Sequence, residues 1–175
     1  MTCISHAILL ENMKFYGVSG KFYNLIKSYL DGRYQKVVVS HNKGIKSTWE
    51  KIRQGVPQGS ILGPILFLIY INDLPNLTST GTKILLYADD TSVIVTSPNL
   101  ENFETKIDNI FGDINNWFKA NQLTLNYNKT NYLQFNTRNS WDYEVKPNYE
   151  GNCIKSSSNT KFLGLTIDDC HGRLI

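Results

Sequence analysis

An α/β fold of the α+β kind is predicted, an antiparallel sheet with helices packed on one face. Two observations predict it. Four stretches read as helices, and short β-rich runs lie between and after them, joined by long connections. At 175 residues, with 41% hydrophobic and 19% charged side chains, the chain has the size and composition of one globular domain.

The first helix is expected over 7–16, where Ile8, Leu9, Asn12 and Phe15 fall near helical spacing and Gly17 ends the run. The second is expected over 21–30, with Phe22, Leu25, Ile26 and Tyr29 on one face and Asp31-Gly32 as its breaker. A strand over 35–39, a turn at 41–44 and a returning strand over 48–53 follow. A glycine-rich loop over 55–63 leads into a third helix, with Ser60 as N-cap and Pro64 in the first turn. That helix runs to about Asn72 and Pro75 closes it. It is apolar nearly all round, so burial under a sheet is expected.

Two apolar runs, Ile84-Leu85-Leu86 and Val93-Ile94-Val95, flank Tyr87-Ala88-Asp89-Asp90 and read as a hairpin. Ser97-Pro98 opens a long amphipathic helix. Its stripe is Leu100, Phe103, Ile107, Ile110, Ile114 and Trp117, widened by Phe111 and Phe118. An alternating extended segment over 123–127 and a strand over 132–135 come next. The stretch 138–159 is polar and loop-like, and one last strand is expected over 161–167. No repeat and no interdomain linker interrupts the chain.

The formal charge of +3 conceals an asymmetry. Between Lys14 and Arg53 nine basic residues face only Asp31 and Glu50. A polyanion such as nucleic acid fits that excess, and so does a solvated lysine-rich surface. Cys3, Cys153 and Cys170 are scattered, and His6, His41 and His171 likewise, so neither a disulfide framework nor a zinc site follows. A reducing, intracellular setting is the expectation, with no compartment specified. The N-terminus lacks a signal-peptide pattern, and the apolar run 61–71 is too short for a bilayer, which needs roughly 20 residues.

Chemistry concentrates in two places. Adjacent carboxylates at a hairpin tip repel each other, and folding alone gives no reason for them. A hard divalent cation does, since Mg²⁺ takes one or two carboxylates plus substrate phosphates. An acidic pair on an exposed turn is the plainer alternative. The second place is Gly55-Val56-Pro57-Gln58-Gly59-Ser60-Ile61-Leu62-Gly63-Pro64. Its glycines allow close backbone approach, and Gln58 and Ser60 offer hydrogen bonds near a helix N-terminus that favours phosphate.

In order along the chain, Gly55-Val56-Pro57-Gln58-Gly59-Ser60, Tyr70-Ile71-Asn72-Asp73-Leu74-Pro75 and Tyr87-Ala88-Asp89-Asp90-Thr91 resemble the reverse transcriptase of non-LTR, LINE-type retrotransposons. Trp117-Phe118 through Leu123-Thr124-Leu125-Asn126 to Lys129-Thr130 is similar to the next family motif, and Phe162-Leu163-Gly164-Leu165 to the primer grip. Ile4-Ser5-His6 and Ser28-Tyr29-Leu30 also fit. The resemblance covers about residues 3–168.

It implies an RNA-directed DNA polymerase palm working with two Mg²⁺ ions, an RNA template, a DNA primer and deoxynucleoside triphosphates, and no membrane. Asp89 and Asp90 would be the catalytic, metal-binding carboxylates. Gln58, Gly59 and Ser60 would line the nucleotide and template pocket. Lys129 would be a proton donor or charge partner for pyrophosphate, or a solvated lysine after a strand. Phe162, Leu163 and Gly164 would position the primer end, or pack as ordinary strand. Lys36, Lys43, Lys46, Lys51 and Arg53 would form the nucleic-acid surface. The implied layout is a fingers–palm junction over 1–60, palm over 61–168 and a tail over 169–175. The first palm strand, the fingers N-terminus and the thumb are expected to be missing.

The family's third carboxylate falls at Thr2 in this chain, a neutral hydroxyl. Hard-ion affinity follows ligand charge, so the isolated chain is expected to be inactive. Asp73 sits at a helix end and is not assigned the role. A non-catalytic remnant of the same fold, binding nucleic acid or a partner, is the alternative.

Overall fold

The computed structural model describes residues 4–39, 44–57, 59–98, 100–135, 145–149 and 151–169. They fall into two compact units. One takes the chain up to Leu77 with Ile84–Val93 and Lys119–Leu123; the other takes Thr78–Lys83, Ile94–Phe118 and the chain from Thr124.

In the first unit, helix α1 (His6–Phe15) packs against α2 (Gly20–Leu30) and α3 (Leu62–Ile71). Gly17, at φ +83°, ends α1. The amide of Val18 reaches the carbonyl of Met13 and that of Gly17 reaches Lys14, both at 2.9 Å, the double closure that needs a left-handed residue after the cap. The buried pairs are Leu9 with Met13 and Ile26 with Leu30, each four residues apart. This corrects the expected stripes: Phe15, Phe22 and Leu25 are mostly exposed. The apolar surface of both helices is wider than what packs against it. Helix α3 buries Leu66, Phe67, Tyr70 and Ile71, but Ile65 and Leu68 are half-exposed, so it is covered on one side rather than all round. Pro75 lies in a 3-10 turn, Leu74–Leu77, that follows it.

The expected strand pair after α2 is split in two. β1 (Tyr34–Gln35) pairs antiparallel with β4 (Glu50–Lys51), and β2 (Val38–Val39) with β3 (Ile45–Lys46). Residues 47–49 stand opposite only 36–37, an extra residue that makes a bulge and ends the regular ladder. Ser47 bridges the gap: its amide donates to the Val37 carbonyl and its Oγ accepts from the Val37 amide, both at 2.9 Å. The expected turn at 41–44 lies outside the described residues except for Gly44.

Strands β5 (Thr82–Tyr87) and β6 (Asp90–Val95) form the expected hairpin. Helix α4 (Leu100–Ala120), which belongs to the second unit up to Phe118, buries Ile107, Ile110, Ile114 and Trp117, as its periodicity predicts. Leu123, Leu125 and Tyr127 are half-buried while Thr124 and Asn126 are exposed, the expected alternation, and the chain then tightens into a 3-10 turn at Tyr127–Lys129.

Three expectations are corrected beyond this point. The strand expected over 132–135 is the shorter β7 (Asn131–Tyr132). The polar stretch read as loop holds β8 (Asn148–Tyr149), β9 (Asn152–Cys153) and β10 (Lys155–Ser156). The single strand expected over 161–167 is a hairpin, β11 (Asn159–Phe162) and β12 (Leu165–Asp168). These pieces are two to four residues long, too short for alternation to be read from sequence. Among the described residues, antiparallel pairing holds for five of the six ladders by register or hairpin connection, while β7 and β10 run parallel. Among the described residues the ladders stay two-stranded and do not join into the continuous sheet that was expected.

Candidate active site

Asp89 is the second residue of the two-residue connection between β5 and β6, after Ala88. Ala88 has φ +53°. A positive φ at the first position of such a connection matches the twist of the flanking strands, and glycine is the usual residue there. Alanine stores about 1 kcal/mol in that conformation. The tight turn leaves both Asp89 and Asp90 exposed.

Asp89 borders an open cleft of about 530 Å³ whose other walls are Pro57, Gly59, Ser60, Ile61, Gly63 and Pro64. The structure thus brings together Asp89, Gly59 and Ser60, from two motifs roughly thirty residues apart in sequence. Asp90 opens β6 and is not part of the cleft wall. Gln58 lies outside the described residues, as do Thr2 and Lys43.

The loop is held from both ends. The Gly55 amide donates to Ile4 O at 2.7 Å, Ser5 bridges Gln54, and His6 Nε2 lies 2.8 Å from Gly55 O. A carbonyl can only accept, so this nitrogen of His6 carries the hydrogen. Spacing gave no signal for this clamp, since 49 residues separate the partners. At the other end Ser60 Oγ donates to Pro57 O at 2.8 Å and accepts the Gly63 amide at 3.0 Å. The helix begins at Leu62, later than expected, but Ser60 still satisfies an N-terminal amide. Gly63 packs closely on the loop: a Cβ would sit 3.1 Å from Pro57 O and from Ser60 Oγ.

Below the loop, Tyr70 is fully buried. Its hydroxyl donates to Asn121 O at 2.5 Å and accepts from the Ser5 amide at 3.4 Å, tying α3 to both neighbours. Burial pushes the phenol above its ordinary range.

The basic residues sit on the split hairpin. Lys36 Nζ lies 4.7 Å from the centre of the Trp49 ring, and Lys51 pairs with Asp31 at 3.3 Å. Lys46 and Arg53 are exposed. The remaining expected site residues belong to the second unit. Lys129 is exposed at the end of its 3-10 turn. Phe162 is half-buried, and Leu163 and Gly164 form the two-residue turn of the β11–β12 hairpin, with φ +51° and +86°.

Two carboxylates with substrate phosphates suit Mg²⁺ in charge and donor type. Among the described residues no group of three His, Cys, Asp or Glu side chains is placed to share an ion. No helix among them is long and apolar enough to cross a membrane.

A glycine-shaped loop and an acidic hairpin thus line one cleft. The family profile described as reverse transcriptase (RNA-dependent DNA polymerase) matches residues 3–167, and the chain belongs to that family. Its similarity lies with non-LTR, LINE-type elements. It is 30% identical over 154 residues to the RNA-directed DNA polymerase from mobile element jockey of Drosophila melanogaster, covering 85% of this chain and 16% of that protein. It is 29% identical over 153 residues to the probable RNA-directed DNA polymerase from transposon BS of the same species, covering 84% and 17%. To the retrovirus-related Pol polyprotein from type-1 retrotransposable element R2 of Popillia japonica it is 29% identical over 180 residues, covering 93% and 28%. The chain therefore spans about a sixth of the length of the first two relatives.

Proposed function

We propose that the cleft beside Asp89 is the nucleotide-addition site of an RNA-directed DNA polymerase palm. The observation that carries this is the meeting of Asp89 with Gly59 and Ser60 across one open cleft. Asp89, assisted by Asp90, would hold Mg²⁺, and the backbone at Gly59 would lie against the incoming triphosphate. Bound Mg²⁺, two ions in the complete centre, would activate the primer 3′-hydroxyl and neutralise the leaving pyrophosphate. Ser60 keeps the loop closed on α3 and the cleft wall fixed. Gln58 joins this pocket on family grounds.

Lys129 would meet the pyrophosphate, and Phe162, Leu163 and Gly164 would position the primer end. Lys36, Lys43, Lys46, Lys51 and Arg53 would carry template or primer backbone. In this reading residues 1–60 are fingers–palm junction, 61–168 palm and 169–175 tail.

Asp89 and Asp90 supply two carboxylates, and the family's third falls at Thr2, a neutral hydroxyl. We therefore read this chain by itself as able to bind metal and nucleotide without completing synthesis. Titration with a deoxynucleoside triphosphate and Mg²⁺, followed by amide NMR, tests the site. Shifts at Gly59 and Ser60 that vanish in Asp89→Asn support it; binding indifferent to Asp89 contradicts it.

A further inference from the structure

We propose that one face of the split hairpin is a stacking platform for single-stranded nucleic acid, with Trp49 as its anchor and Tyr34 beside it. The inference rests on reading this region as a nucleic-acid surface and deepens it by naming the strand state and the aromatic residues.

The register defines the face. Tyr34 pairs with Lys51, so their side chains project to the same side of the ladder. Lys36 follows β1 and Trp49 precedes β4, each two residues from this pair at the edge of the bulge, and the extended alternation brings them to the same face. The placement of Lys36 Nζ 4.7 Å from the Trp49 ring centre agrees with this. Two aromatic rings and two lysines therefore alternate across one surface.

Both rings are available. Trp49 is 62% exposed and Tyr34 58% exposed. A large indole left in water on a two-stranded ladder contributes little to folding. The lysine over one ring face leaves the other open to a base. Lys51 has an exposed partner, Asp31, a pair too weak to withhold it from a phosphate. Lysines that follow a phosphate backbone, set between aromatic rings that stack bases, are the two components of sequence-tolerant single-strand binding. In a duplex the bases are stacked on each other, so a flat aromatic platform distinguishes the two forms.

The test is fluorescence anisotropy with short labelled RNA or DNA single strands and duplexes across a salt series. The wild-type chain should bind single strands more tightly than duplexes. Trp49→Ala should weaken single-strand binding about tenfold without changing the salt slope, and Trp49→Phe should restore most of it. Lys36→Gln should reduce the slope by about 0.7. Equal affinity for duplex, or a Trp49→Ala variant that binds single strands like wild type, would overturn the platform while leaving a salt-dependent phosphate surface standing. Absence of any oligonucleotide binding would remove both. Amide hydrogen exchange of α1 and α3, which is independent of this face, confirms that each variant is folded.

Discussion

The hydroxyl of Ser60 accepts the amide hydrogen of Gly63 at 3.0 Å and in the same geometry donates to Pro57 O at 2.8 Å. One side chain thus closes the loop that faces Asp89 and starts α3. Ser60→Ala removes both bonds and should cost about 1 kcal/mol, read as a lowered urea midpoint. Gly63→Ala should cost about 1 kcal/mol, because the new methyl group would sit 3.1 Å from the Pro57 carbonyl oxygen and push it by a few tenths of an ångström.

Tyr70 gives a pH-dependent prediction. Its buried phenol ionises above its ordinary value of 10.0. The unfolded chain releases that proton first, so stability is intact below about pH 10 and falls as the pH rises further. Tyr70→Phe should lose roughly 1 kcal/mol at neutral pH, because the hydrogen bond from the hydroxyl to the Asn121 carbonyl is removed, and should lose this part of the alkaline decline. Chemical denaturation at neutral and alkaline pH measures both.

Leu163 occupies a position built for another residue. Two successive positive φ values at Leu163 and Gly164 call for Asn-Gly or Asp-Gly. Leu163→Asn should raise stability by about 0.5–1 kcal/mol, measured by thermal melting. If the exposed leucine serves the primer end, the same variant should bind a primer–template more weakly.

Primer extension on an RNA template with Mg²⁺ should give no product from these 175 residues. Product that depends on Asp89 would show that the two carboxylates suffice, and would overturn the incompleteness of the centre while leaving its location intact.

Long periodic signals and ordered motifs were legible in the sequence. The stripe of α4 emerges because 21 residues repeat one face many times. The β5–β6 hairpin emerges because its turn lies between two apolar runs. The short ladders after Tyr132 do not, since two residues carry no period. The buried faces of α1 and α2 depart from their apolar periodicity because burial there is decided by partners distant in sequence. For the site, Asp89, Gly59 and Ser60 were read from motifs, but the His6–Gly55 clamp and the face shared by Tyr34 and Trp49 depend on pairing and register.

The central claim is that Asp89 marks a metal-dependent nucleotide site against the Gly59–Ser60 wall. Paramagnetic broadening by Mn²⁺ in the presence of a deoxynucleoside triphosphate tests it most directly. The account predicts that the amides of Gly59, Ser60 and Asp89 broaden together, and that Asp89→Asn abolishes the effect in a folded chain. Broadening that survives Asp89→Asn, or that spares Gly59 and Ser60, would contradict it.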